Sequence, residues 1–269
     1  RTRARLAALV NAQSEPVVFG ALSDTFFDLL PDLHPQVWAY YLQHAFLHQP
    51  EGNVQHKAWL RHVPRVDTYL FISSRSKDEF ASFLFANNIP RAAADKLLLV
   101  SNAVHRFGAV QDHERIGLLF VGRDSAEKRL TVFLALADRL EREQPGRFRF
   151  SVVGSSTLAG HPQVRFHGVI NDAERMATLY AEHDVLMLTS SREGFPLVIM
   201  EAMAQGLAVL STPVGDVPVR LGANEAVISS DLDPETVVQE FTQALLALDK
   251  DRDHLQRMKA AALAKAHAE

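Results

Sequence analysis

Two carboxylates eight positions apart, Glu193 and Glu201, flank the turn Gly194-Phe195-Pro196-Leu197 within a stretch, 190–206, that also carries Ser190, Ser191 and Arg192. Pro196 pre-sets φ for a first helical position and Gly206 suits the residue after a helix end, so the spacing predicts a helix over 196–205. The apolar run 185–189 before it reads as a strand buried on both faces of a parallel sheet. A strand, a polar turn and a helix start leave free N–H groups and the positive end of a helix dipole at one point, which favours an anion. Arg123 and Lys128 follow another apolar strand, 117–122. Ligands bind at the carboxyl ends of strands in open α/β sheets, so these cations and the helix start could converge on a diphosphate. The same pair also reads as a solvated Arg and Lys beside a helix start. A carboxylate beside a diphosphate is repelled unless it addresses hydroxyls, and a vicinal diol of a ribose or sugar would give it two hydrogen bonds. Glu201 reads alternatively as a surface helix glutamate, although Ile199, Met200, Ala202 and Met203 around it are apolar.

The elements that must position these groups alternate along all 269 residues, strand-like runs with helix-period segments, which predicts an α/β chain with parallel sheets. Two domains are expected, 1–102 and 103–269, with the polar, aperiodic segment 101–115 at the boundary. In the first, 17–20, 37–42, 68–72 and 97–100 read as strands, with helices near 23–30, 53–62 and 76–87, the last opened by a capping box of Ser76 and Glu79. In the second, strands are expected at 117–122, 148–153, 164–167, 185–189, 207–212 and 226–228. Its helices carry Leu130, Phe133 and Leu140; start at Asn171 and Glu174; span 196–205; start at Asp233-Pro234; and run from about 251 to the end. A net charge of −4 gives no reason to expect nucleic acid as a partner. The absence of cysteine excludes disulfides, thiolate catalysis and Cys-ligated metals, and fits a reducing compartment. Apolar runs fall short of the roughly 18 residues that span a bilayer. The chain opens on Arg1 rather than Met, so upstream sequence is expected to be missing.

The run 193–206 resembles the signature of retaining nucleotide-sugar glycosyltransferases of family 4, in which two glutamates eight positions apart bracket a Gly-Phe-Pro turn. The resemblance extends to Val121-Gly122-Arg123 with Glu127-Lys128, to Val152-Val153-Gly154, to Phe166-His167-Gly168-Val169 and to Val100-Ser101-Asn102-Ala103-Val104, covering nearly all of residues 67–250. It implies a GT-B fold: two Rossmann-like domains facing across a cleft, the donor held mostly by the second and the N-terminal one incomplete. It also implies that Arg123 and Lys128 hold the donor diphosphate, Glu201 the ribose and the backbone at Val169 the base. Glu193 and the turn Gly194, Phe195, Pro196 and Leu197 would meet the transferred sugar and the phosphates. His44 resembles the first-domain histidine that reaches the donor sugar, and reads equally as a hydrogen-bonded residue ending a strand. Two positions depart from the pattern: Gly215-Asp216-Val217-Pro218-Val219 stands where Gly-Gly-x-Pro-Glu is usual, and His105 where an aspartate is common.

The activity so implied is the retaining transfer of a hexose-type sugar from a nucleoside diphosphate sugar to a carbohydrate or lipid-linked acceptor hydroxyl, as in polysaccharide biosynthesis. A cytoplasmic location follows, with at most peripheral contact at the inner membrane surface. No cofactor or metal is expected, because in the one Asp-x-Asp, Asp231-Leu232-Asp233, the last residue precedes Pro234 and reads as a helix N-cap. The alternative is a catalytically impaired nucleotide-sugar-binding module. An NAD-dependent oxidoreductase would need a Gly-x-Gly-x-x-Gly after a strand, which is absent, and a nucleotide-sugar epimerase fits the glutamate spacing less well.

Overall fold

The computed structural model describes residues 2–14, 17–21, 28–43, 60, 62–89, 95–100, 104, 106–155 and 160–268. The chain divides into two units, Arg1–Ser101 and Asn102–Glu269.

In the first unit helix α1 (Thr2–Asn11) precedes β1 (Val18–Ala21), β2 (Trp38–Gln43) and β3 (Thr68–Phe71), then helix α2 (Ser74–Ala86) and β4 (Leu97–Leu99). The four strands form a parallel sheet in the order β1-β2-β3-β4, the strand set expected from the apolar runs. Its core packs Leu30, Ala39, Tyr41, Tyr69, Phe71 and Phe80. Helix α2 starts earlier than expected: Ser73 is the N-cap and accepts from the Ser76 N–H at 3.1 Å, while Ser76 is buried inside the first turn. The reason is register, since capping at Ser73 sends Phe80, Phe83 and Leu84 inward together. Helix α1 was not foreseen. Most of the helix expected at 53–62 lies outside the described residues, and near 23–30 the described part closes in a 3-10 turn, Leu30–Asp32.

The second unit contains β5 (Ile116–Val121), α3 (Leu130–Glu143), β6 (Phe148–Val153), β7 (Val164–Phe166), α4 (Ala173–Ala181), β8 (Val185–Leu188), α5 (Leu197–Ala204), β9 (Ala208–Ser211), α6 (Val217–Arg220), β10 (Ala226–Ile228), α7 (Pro234–Lys250) and α8 (Arg252–Ala268). All six strands are parallel, in the order β10-β9-β8-β5-β6-β7. Side chains alternate between the faces: Leu118 and Phe120 pack against α3 and α7, and Leu119 against α5. From β5 the chain builds outward to β7, then returns to start β8 on the other side. The loops after β5 and β8 therefore leave adjacent strands in opposite directions, the topology that opens a crevice at the carboxyl edge. Two of the unit's helix starts differ from expectation in detail and a third agrees. Asp172, not Asn171, caps α4 by accepting from the Arg175 N–H at 2.7 Å. Pro196 is itself the N-cap of α5, with ψ at 127°, so the helix begins at Leu197. Asp233 caps α7 as expected, accepting from the Thr236 N–H at 2.9 Å.

A buried ionic cluster ties the last helix to the sheet. Asp184, just before β8, accepts from Lys259 Nζ of α8 at 2.6 Å and from the Gly117 N–H at 2.8 Å, and stands 3.0 Å from His113 Nδ1. Burial pushes the Asp184 carboxyl up, but Lys259, the Gly117 N–H and His113 outweigh it and hold it below the ordinary range.

Candidate functional site

The loop after β5 and the loop after β8 are laced together along their lengths. The Ser191 N–H donates to the Glu127 carbonyl at 2.8 Å. Thr189 Oγ1 donates to the carbonyls of Lys128 and Arg129 at 3.0 and 3.1 Å. Arg129 answers with Nε on the Thr189 carbonyl at 2.6 Å, and also reaches the carbonyls of Ser190 and Leu232. Its backbone is left-handed, φ 50° and ψ 51°, an uncommon state for a non-glycine residue that these bonds hold in place. At the mouth of the laced loops Lys128 Nζ meets Glu193 Oε1 at 2.5 Å, and Ser190 Oγ donates to the same oxygen at 2.7 Å. The pair is half-buried, with 20% of the lysine side chain and 15% of the glutamate side chain exposed.

The structure thus brings Lys128 and Glu193 together. Arg123 is on the same loop, exposed, and its guanidinium makes no ion pair or hydrogen bond to any described residue. Glu193 partly neutralises Lys128, so Arg123 and the N–H groups at the start of α5, which no side chain caps, are the uncommitted donors on this edge. Two buried hydroxyls nearby, Ser125 Oγ after β5 and Ser155 Oγ after β6, have no hydrogen-bond partner among the described residues. Buried polar groups are normally satisfied, so both hydroxyls are exceptions at this edge.

The turn itself is held from a third side. Asp216 donates its N–H to the Gly194 carbonyl at 2.9 Å. Gly215, at φ +52°, approaches so closely that a Cβ there would lie 1.8 Å from that same oxygen. This stretch, 215–219, is the one that departs from the family pattern; Asp216 is buried at 2% exposure and Val219 is exposed. Phe195 is 1% exposed in the core beneath, with the Arg220 guanidinium 3.8 Å from its ring centre. Phe195 and the buried Pro196 therefore present backbone rather than side chains, whereas Leu197 is exposed.

Glu201, in the second turn of α5 and eight residues after Glu193, lines a cavity of about 390 Å³ with Tyr180, Leu197, Gln205 and Arg106. Tyr180 Oη donates to Glu201 Oε2 at 2.9 Å. Burial first, and then the Glu201 charge, push the Tyr180 phenol well above its usual value, so it stays protonated as a donor. Val169 is exposed on the loop after β7, and Gly168 in that loop accepts from the Gly154 N–H at 2.8 Å. His44 lies outside the described residues. Among the described residues no group of three or more His, Asp or Glu side chains could hold a metal ion, and Asp233 serves as a helix cap. No helix among them is long and apolar enough to cross a membrane. Sequence reasoning missed Arg129, Thr189 and Tyr180, and named Ser190 only as part of the polar stretch. Arg129 follows Lys128 directly, and Thr189 and Ser190 come directly after β8, so a strand-end cluster was the available signal.

The family model described as "Glycosyl transferases group 1" matches residues 115–251. A D-inositol 3-phosphate glycosyltransferase of Nocardia farcinica is 33% identical over 165 residues, 55% of this chain and 36% of the relative. An amylovoran biosynthesis glycosyltransferase of Erwinia amylovora is 28% identical over 173 residues, 58% of this chain and 42% of the relative. The chain thus spans less than half the length of these curated relatives. Among solved structures, the pneumococcal O-GlcNAc transferase GtfA with UDP and GlcNAc superimposes with a TM-score of 0.75 at 17% identity, over 99% of this chain and 56% of that one. Anabaena Alr3699/HepE with UDP does so with a TM-score of 0.75 at 14% identity, over 99% of this chain and 77% of that one. These likenesses establish the fold as that of GT-B glycosyltransferases, of which this chain covers a part.

Proposed function

Since the chain belongs to the group 1 glycosyl transferases, we propose that its second unit holds a nucleoside diphosphate sugar and that the whole protein transfers the sugar, with retention, to a carbohydrate or lipid-linked acceptor hydroxyl. The observation that carries this is the Lys128–Glu193 pair, clamped at the carboxyl edge between the two laced loops beside the start of α5. A diphosphate arriving there meets Arg123, Lys128 and the free N–H groups of the helix start. It draws Lys128 toward phosphate and leaves Glu193 to accept from sugar hydroxyls. Glu201, aimed by Tyr180, is suited to the two hydroxyls of a ribose.

Catalysis is then mainly electrostatic. The bond between the sugar anomeric carbon and the leaving phosphate oxygen breaks, the acceptor oxygen bonds to that carbon on the same face, and the acceptor proton passes to the leaving phosphate. The charge growing on the diphosphate is met by donors already in place, which lowers the barrier without a protein nucleophile or a metal. Uridine diphosphate sugars are the first donors to try, because two of the similar structures hold UDP. The test is donor turnover together with thermal shift by UDP, in wild type and in Arg123→Ala and Lys128→Ala. Loss of both signals in the variants is expected; undiminished turnover in both sinks the proposal. A metal-free reaction is checked by turnover in a chelator.

A second reading, a binding module without turnover, draws on the Lys128 ammonium being already paired and on Asp216 lying against the turn. Stabilisation by UDP with no donor hydrolysis under any condition would favour it.

A further inference from the structure

The second unit holds another polar cavity, of about 410 Å³, on the amino-terminal half of β6 and away from the laced loops. Inner strands of a parallel sheet are ordinarily apolar on both faces, and β6 departs from this. Phe148, Phe150 and Val152 alternate into the core against α3 and α7, so Arg149 and Ser151 alternate to the other face. Ser151 is in register with Arg165 of the edge strand β7, and His167 Nε2 stands 3.4 Å from Ser151 Oγ. Arg115 before β5 and His183 after α4 complete the lining. Gly117 keeps room for them: a Cβ there would lie 3.0 Å from His183 Cα and 3.1 Å from an Arg149 Nη.

The three guanidinium groups keep most of their donors free. Arg115 donates one N–H to the Phe148 carbonyl and Arg149 one to the Glu182 carbonyl, each at 2.6 Å. The Arg165 side chain is exposed and makes no hydrogen bond or ion pair to a described residue. Of the two carboxylates at the rim, Glu141 accepts from the Gly146 N–H and Glu182 is solvated. Burial, and at His167 the charges of Arg165 and Arg175, lower both imidazoles, so each is neutral; His183 spends its one N–H on the Leu179 carbonyl at 2.6 Å, which leaves His167 as the imidazole with a donor to offer. Guanidinium forks with open N–H groups match phosphate oxygens bidentately, and the neutral His167 beside the Ser151 hydroxyl suits the oxygens attached to them.

We infer that this cavity is a second anion site, binding a phosphate-bearing ligand through Arg115, Arg149 and Arg165, separate from the donor site and independent of its assignment. Calorimetric titration of the full chain with inorganic phosphate tests it in wild type, Arg165→Gln, the double variant Arg149→Gln/Arg165→Gln, and Arg123→Ala/Lys128→Ala. A binding event is expected that weakens about tenfold in Arg165→Gln, as for loss of one charge-assisted contact. It should vanish in the double variant and persist in Arg123→Ala/Lys128→Ala. Arg165 supports no other residue, so Arg165→Gln keeps the test valid if Arg149→Gln fails to fold. No binding in wild type, or binding lost only with Arg123 and Lys128, overturns the inference. Vesicles separate the sources of phosphate: pelleting with phosphatidic acid but not phosphatidylcholine, lost in Arg165→Gln, identifies a lipid headgroup. Phosphate binding without pelleting identifies a soluble ester.

Discussion

Two lysine–carboxylate pairs stand at either end of β8 and differ in everything but distance. At its start Lys259 meets Asp184 at 2.6 Å, with 1% of each side chain exposed. Beyond its end Lys128 meets Glu193 at 2.5 Å, with 20% and 15% exposed. The first carboxylate is also bonded by a backbone N–H and flanked by His113, so nothing remains for a ligand to satisfy. The second shares its oxygen with one serine hydroxyl and faces outward. A sealed pair holds elements together; an open pair is a charge arrangement that a substrate can redistribute. Geometry of the ion pair alone does not tell the two apart, and the surrounding donors do.

That contrast predicts opposite consequences for removing each lysine. Lys259→Met strands a buried carboxylate, and denaturant unfolding should show a loss of about 3–5 kcal/mol; a loss below about 1 kcal/mol would mean the cluster is not sealed. Lys128→Ala should change stability by less than about 1 kcal/mol, while turnover of the donor falls roughly 10²–10³-fold, the size of a lost transition-state donor. The sealed region should also respond to acid. His183, next to Asp184, is lowered by burial to about 4 from 6.5. As pH falls the unfolded chain binds this proton first, so stability is complete above about pH 6.5 and declines toward pH 4, by up to about 3 kcal/mol. His183→Gln should flatten that slope in pH-dependent unfolding, whereas Lys128→Ala should leave it unchanged. The smallest effect belongs to Tyr180→Phe, which removes the donor to Glu201. It should weaken UDP binding by about tenfold, the loss of one hydrogen bond to a charged group, with turnover at saturating donor nearly kept.

Strands and helices of the second unit were legible because apolar runs and helical spacing are local signals, and the two faces of β5 and β8 leave little choice of partner. Cap positions were less so. Ser73 and Ser76, or Asn171 and Asp172, satisfy the same local rule, and tertiary burial of the following helix selects between them. At the site, the conjunction of Lys128 with Glu193 was approached through charge balance, but their direct pairing was not, since it depends on strand order. The Asp184–Lys259 contact carries no local signal at all. Arg129 escaped notice because its role rests on a left-handed backbone, which a sequence does not advertise for arginine. Phe195 looked like part of a binding turn, and the core beneath the turn claims its ring.

The strand order of the second unit also bears on how it comes into being during synthesis. Lys128 and Glu193 are 65 residues apart in the chain, and Asp184 and Lys259 are 75 apart. Growing from its amino end, a nascent polypeptide can pair β5, β6 and β7 early, but the open ion pair waits for β8 and the sealed one for α8. Contacts of such long sequence separation form slowly and expose apolar surface in the interval. A ribosome stalled before residue 259 would carry a complete β sheet whose central carboxylate still lacks its counterion. The open pair and the sealed pair that secures the sheet beneath it therefore form in that order.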